Sequence, residues 1–134
     1  MGNDGSVDGT MVDPRLAPRR LKESLVPPET GIFLRVEQGE GTNRHFELSS
    51  GGVYIIGRDG SDIPLDDPKV SRKHAEIGLY GPGVYVVRDL ASTNGTRVNG
   101  RLVAEKTTIK HTDLIQVGDT ALRLHVLDAT IPLS

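Results

Sequence analysis

Cysteine is missing from all 134 residues, which excludes a disulfide framework, a thiolate nucleophile and a cysteine-ligated zinc. That absence suits a reducing compartment, and a cytoplasmic protein is the expectation. Tryptophan is also missing and aromatic residues make up only 4%, so the core must be aliphatic, built on Val, Ile and Leu. No apolar run approaches the ~20 residues of a membrane-spanning helix. The start has no basic segment leading into an apolar one, so it does not read as a secretion signal. A formal charge of −2 lacks the excess of cations that a nucleic-acid-binding domain carries. No glycine-rich stretch is followed by a P-loop lysine, and no cofactor is expected.

Met1-Gly2-Asn3-Asp4-Gly5-Ser6 formally fits an N-myristoylation pattern. One acyl chain anchors weakly, and the neighbouring residues are acidic where a basic second signal would be needed. No membrane partner is expected.

What is present is punctuated alternation. Residues 1–30 are rich in Gly, Asp and Pro, and they read as a flexible tail. Within it, residues 18–25 carry the makings of two helical turns with Pro18 near the first position. From residue 31 the period is two: Ile32, Leu34 and Val36 alternate with Phe33 and Arg35, predicting a strand. His45 to Leu48 returns after a Gly-rich turn, and Val53 to Ile56 forms a third strand ending at Gly57-Arg58. Ile63 to Leu65, Ala75 to Tyr80, Val84 to Val87, Thr108-Ile109, Asp113 to Val117 and Ala121 to Leu127 complete the set, and Leu90 is expected to plug into the core. Asn94-Gly95 and Asn99-Gly100 are turn dipeptides that tolerate positive φ. Strands at this spacing without an amphipathic helix predict an all-β sandwich. The expected organisation is a tail over 1–30, one domain over 31–128 and a C-terminal extension over 129–134.

The loops between these strands hold the chemistry. Gly57-Arg58, then Ser71-Arg72-Lys73-His74, then Thr93-Asn94-Gly95 supply a guanidinium, two hydroxyls, two further cations and an amide. That inventory matches what a phosphate dianion on a peptide needs. The ordered pattern G-R…S-R-K-H…S-T-N-G…V-N-G resembles the forkhead-associated (FHA) domain over roughly residues 31–128. The resemblance implies two packed, mostly antiparallel sheets with binding loops at one end. It also implies a non-catalytic adaptor that reads phosphothreonine in Ser/Thr kinase signalling.

By that resemblance Arg58 holds phosphate oxygens, a task that suits its planar fork of donors. Ser71 donates its hydroxyl proton to the phosphate, although a loop serine can also bond its own backbone. Arg72 is the cation expected to face the ligand, with Lys73 turned away, and Thr93 adds a hydroxyl or backbone N–H. Asn94 resembles the family's peptide-holding amide, and Asn99 reads as a plain turn residue. Lys69 is the expected specificity contact, meeting an acidic residue after the phosphothreonine. Gly57, His74 and Gly95 are expected to be structural, the His74 ring tying the loops together. The tail offers its own substrate in Thr10-Met11-Val12-Asp13, a phosphorylation site with Asp three residues on. The expected partners are phosphothreonine proteins, a Ser/Thr kinase or its substrate, and this tail.

Two other classes compete. Ser71, His74 and Asp89 are the residue types of a hydrolase triad, but no nucleophile elbow accompanies them, so no catalytic residue is expected. An FHA-like fold can also serve as a phosphate-independent scaffold or oligomerisation module. His45, His111 and His125 are dispersed with no metal-ligand spacing, and Asp59, Asp62, Asp66 and Asp67 fit no calcium loop and read as turn residues.

Overall fold

The alternation from Ile32 to Val36 directs one set of side chains inward, and the computed structural model, which describes residues 23–24 and 31–127, builds on that strand. In chain order the strands are β1 (Glu23–Ser24), β2 (Gly31–Gln38), β3 (His45–Leu48), β4 (Val53–Gly57), β5 (Ile63–Pro64) and β6 (Lys73–Gly81). They continue as β7 (Val84–Asp89), β8 (Thr96–Val98), β9 (Arg101–Leu102), β10 (Lys106–Ile109), β11 (Leu114–Val117) and β12 (Thr120–Leu127). A seven-stranded sheet runs in the order β9-β8-β11-β12-β2-β3-β1, and a five-stranded sheet in the order β10-β7-β6-β4-β5. Every pairing is antiparallel except that of β4 with β5. No described residue is helical.

The two sheets bury an aliphatic core. Leu34, Val36, Ile115, Leu122 and Leu124 from one sheet belong to the same buried cluster as Ile56, Ile77, Leu79 and Val87 from the other. Phe46, Tyr54 and Tyr85 add the few aromatic rings. Each such side chain, fully buried, contributes about 1.5–3 kcal/mol by leaving water.

Four expectations need correcting. Glu23 and Ser24 are extended rather than helical, pairing with Phe46 and His45. Two helical turns are too short to hold in water, whereas the edge of β3 offers ready backbone partners. The remainder of the 18–25 stretch lies outside the described residues, as does Thr10. Leu90 is only half-buried, because its backbone N–H, bonded to the His74 carbonyl, holds it at the rim. The hairpin of β8 and β9 was not foreseen as strands. It turns on Asn99 and Gly100, whose φ values of 50° and 86° are both left-handed. Strands of three and two residues are too short to show a period of two.

The fourth correction concerns Phe33. Phe33 points away from the core, yet it is buried, stacked on His125 at 4.7 Å and tilted against His45 at 5.3 Å. His111 meets His125 edge-on at 6.0 Å. Separated in sequence, the three rings converge because β3, β2 and β12 are neighbours in the sheet. His45 Nδ1 donates to the Ser24 carbonyl and His111 Nδ1 accepts from the Val126 N–H. Burial and the nearby His111 push the His125 ring below its ordinary value.

Candidate functional site

The loops after β4, before β6 and after β7 converge at one end of the sandwich. Gly57 ends β4 at a bulge facing Lys73, with its α-carbon against the Arg72 carbonyl. A Cβ there would overlap that oxygen and sit 2.6 Å from Ser61 Oγ. Only glycine allows the approach. The same carbonyl accepts the Arg58 N–H at 3.1 Å and the Ser61 hydroxyl at 2.9 Å. Arg58 is thereby fixed beside Arg72, one residue from Ser71. Its guanidinium is exposed and bonds no other described side chain.

His74 is completely buried and joins two loops. Its Nδ1 accepts the Ser71 N–H at 3.0 Å, and its Nε2 donates to the Gly95 carbonyl at 2.7 Å. A lone pair on Nδ1 and a proton on Nε2 define the neutral tautomer. The basic nitrogen is thus occupied by a backbone N–H, and it cannot take a proton from the Ser71 hydroxyl. Asp89 does not bond the His74 ring, so the three residues do not form a triad.

Ser71 and Thr93 meet directly. The Thr93 N–H donates to Ser71 Oγ at 3.0 Å, and the two hydroxyl oxygens lie 3.5 Å apart. Asn94 Nδ2 donates to the Lys69 carbonyl at 2.8 Å, so this amide spans from its own loop to the segment before Ser71. Arg72 and Lys73 are both exposed. Lys69 is exposed as well, its Nζ 3.3 Å from an Asp119 carboxylate oxygen. It shares a cavity of about 230 Å³ with Asn94, Gly95, Arg97 and Asp119.

Two aspartates that sequence reasoning treated as turn formers or triad material hold this end in shape. Asp89 accepts from the Ser92 hydroxyl at 2.5 Å, the Thr96 hydroxyl at 2.7 Å and the Ser92 N–H at 3.2 Å. Burial alone would raise its carboxyl, but the Ser92 and Thr96 donors win and lower it. The Ser92 hydroxyl accepts the Gly95 N–H at 2.9 Å, closing the turn that carries Thr93 and Asn94. Gly95 itself has φ +83°, a conformation that side chains rarely adopt.

Asp67 is 5% exposed and accepts from Lys69 N–H, Asp119 N–H and the Thr120 hydroxyl at 2.8–2.9 Å. Burial works against its charge, and these three donors nonetheless hold the carboxyl below its usual range. It ties the segment before Ser71 to the β11–β12 turn. The spacing D-x-K signals a local Asx turn, but its partners some fifty positions away carry no sequence signal.

Among the described residues there is no helix long and apolar enough to cross a membrane, and no cluster of metal-ligating side chains. What the site offers is a guanidinium unpaired among the described residues, two touching hydroxyls and an amide, held on loops that His74, Asp67 and Asp89 brace.

Comparison with known proteins points the same way. The FHA domain family model matches residues 54–118. The chain is 36% identical over 91 residues to the glycogen accumulation regulator GarA of Mycolicibacterium smegmatis, an alignment covering 68% of this chain and 56% of that protein. It therefore spans less than two thirds of that relative's length. The crystal structure of the FHA domain of CT664 from Chlamydia trachomatis superposes with a TM-score of 0.70 at 31% identity, covering 72% of this chain and 98% of that one. A domain solved in work on phosphothreonine-dependent FHA interactions superposes with a TM-score of 0.65 at 32% identity, covering 74% and 99%.

Proposed function

The chain belongs to the FHA domain family, and on that premise we propose that it is a cytoplasmic, non-catalytic adaptor that binds phosphothreonine peptides in Ser/Thr kinase signalling. One observation carries the reading: Arg58, exposed and with no side-chain partner among the described residues, has its backbone N–H on the Arg72 carbonyl, one residue along the chain from the Ser71–Thr93 hydroxyl pair. In this reading Arg58 grips two phosphate oxygens, and the Ser71 and Thr93 hydroxyls donate to the third or share one of the two. Arg72 adds charge from the exposed side of the same loop. Charge-assisted hydrogen bonds of this kind contribute about 1.5–3 kcal/mol each, so three of them account for most of a micromolar affinity.

Asn94 then holds the peptide backbone, exchanging its bond to the Lys69 carbonyl or using its free oxygen as acceptor. Lys69 meets an acidic residue after the phosphothreonine, with Asp119 as the carboxylate it gives up. The methyl of threonine, absent from serine, would select phosphothreonine by roughly 1–3 kcal/mol if it fills an apolar niche. The domain extends over residues 31–128. Phosphorylated Thr10, ahead of it on the same chain, is a candidate occupant of this site, competing with outside partners at high effective concentration.

The test is binding of a phosphothreonine peptide, followed by amide shifts, to the wild-type protein and to Arg58→Ala and Ser71→Ala. Each substitution should weaken binding at least tenfold while the spectrum away from the loops stays unchanged. Full-strength binding by a folded Arg58→Ala protein would reject the assignment. For the tail, protein phosphorylated at Thr10 should bind the external peptide more weakly than the unmodified form, and equal affinity would reject that part alone.

A phosphate-independent scaffold is the second reading, favoured by Tyr80 and Val84, which are 59% and 49% exposed at the β6–β7 hairpin. Partner binding that survives both loss of phosphate and Arg58→Ala, but not Tyr80→Ala, would favour it.

A further inference from the structure

We infer that the cavity beside Arg58 takes a basic side chain of the bound phosphopeptide, an inference that rests on the phosphothreonine reading above. This cavity of about 480 Å³ is lined by Arg44, Arg58, Asp59, Pro64, Leu65 and Asp66. Its size falls within the range of small-ligand pockets. It shares no lining residue with the cavity that holds Lys69 and Asn94.

The preference follows from which charges are already satisfied. Arg58 is engaged by phosphate. Arg44 is engaged within the protein: its Nε donates to the Glu23 carboxylate at 2.5 Å, and its guanidinium carbon lies 5.0 Å from the centre of the Phe46 ring. Glu23 reaches it because β1 pairs along the edge of β3. Asp59 and Asp66 are exposed and form no hydrogen bond or ion pair with any described residue. With both guanidinium groups occupied, these two carboxylates dominate the field in the cavity. Its apolar wall is Leu65, 2% exposed, together with the half-buried Pro64.

Carboxylates above an apolar wall suit Arg or Lys, whose methylene stem lies on apolar surface while the head stays charged. An acidic residue would instead need Arg44 released from Glu23. The cavity where Lys69 lies, which Lys69 and Arg97 line with Asp119, has the opposite preference. A peptide with a basic residue on one side of phosphothreonine and an acidic one on the other is therefore favoured in one direction over the reverse.

Exposed ion pairs are individually weak, and the effect to expect is modest. The experiment uses the full chain and a phosphothreonine peptide with alanine at the flanking positions. Arginine is then placed in turn at each of the four positions on either side. Arginine at one position should tighten binding about three- to fivefold over alanine, the gain expected of one to two exposed ion pairs. In Asp59→Asn/Asp66→Asn that ratio should fall to near one, and because it is taken within each variant, any general loss of affinity cancels. In Glu23→Ala the freed Arg44 should also lower it. A parent peptide that binds with no gain at any position would overturn the inference and leave the phosphothreonine reading standing. A gain that persists undiminished in the double variant would overturn it as well. If the parent peptide itself does not bind, the phosphothreonine reading fails, and this inference with it.

Discussion

Replacing His74 by alanine should cripple both the fold and the site, and the structure allows the size to be worked out. The ring is wholly buried and makes two hydrogen bonds, one to each of the loops that carry Ser71 and Thr93. Both partners are half-buried, so water can re-solvate the Ser71 N–H and the Gly95 carbonyl in part. Losing the two bonds then sits near the low end of the range, about 1 kcal/mol each. The space left by the ring adds about 1–2 kcal/mol, less than the 3–5 kcal/mol of a larger buried aromatic. Together the loss is about 3–4 kcal/mol. Urea unfolding followed by circular dichroism measures it as a lowered midpoint at constant slope. Phosphopeptide binding should be lost at temperatures where the variant is still folded, because Ser71 and Thr93 are no longer held together. A variant destabilised by less than about 1 kcal/mol, with peptide affinity intact, would refute the reasoning that His74 couples the loops.

Other consequences are equally measurable. Gly57→Ala forces a Cβ into the Arg72 carbonyl, which is backbone and cannot swing aside. It should cost about 3 kcal/mol or more and displace Arg58, seen as a lower melting temperature and weaker peptide binding. Asp67 and Asp89 have depressed carboxyls when folded, so the unfolded chain binds protons first as pH falls. The stability they contribute is present above about pH 4 and is lost as pH drops through their folded values. Urea midpoints taken from pH 6 down to pH 2.5 should fall steeply in that lower range, and Asp67→Asn should flatten the fall. Arg72→Ala should weaken phosphopeptide binding less than Arg58→Ala, and the loss it causes relative to wild type should shrink as salt is raised, because Arg72 acts mainly through charge.

Much of this was legible because the residues that matter act locally. Period-two alternation revealed β2, and short apolar runs bounded by turn residues revealed β3, β4, β6, β7 and β12. The loops were legible because Gly57-Arg58, Ser71 to His74 and Thr93 to Gly95 use residue types that few other roles require together. What stayed hidden depends on contacts between distant parts of the chain. Asp67 looks like any turn aspartate until the β11–β12 turn delivers Asp119 and Thr120 to it. Phe33 follows the alternation and should face water, but His45 and His125 arrive from adjacent strands and cover it. The Glu23–Arg44 pair is invisible in sequence because it depends on which sheet edge the N-terminal segment joins. The hairpin of β8 and β9 was missed for a different reason: its strands are shorter than the pattern used to find strands.

The most direct test of the central claim is a calorimetric titration of the chain with three matched peptides. One carries phosphothreonine followed at the third position by Asp, one carries phosphoserine in its place, and one carries unmodified threonine. The account predicts micromolar binding to the first, binding weaker by about tenfold or more to the second, and none to the third. Equal binding to the phosphorylated and unmodified threonine peptides would contradict it.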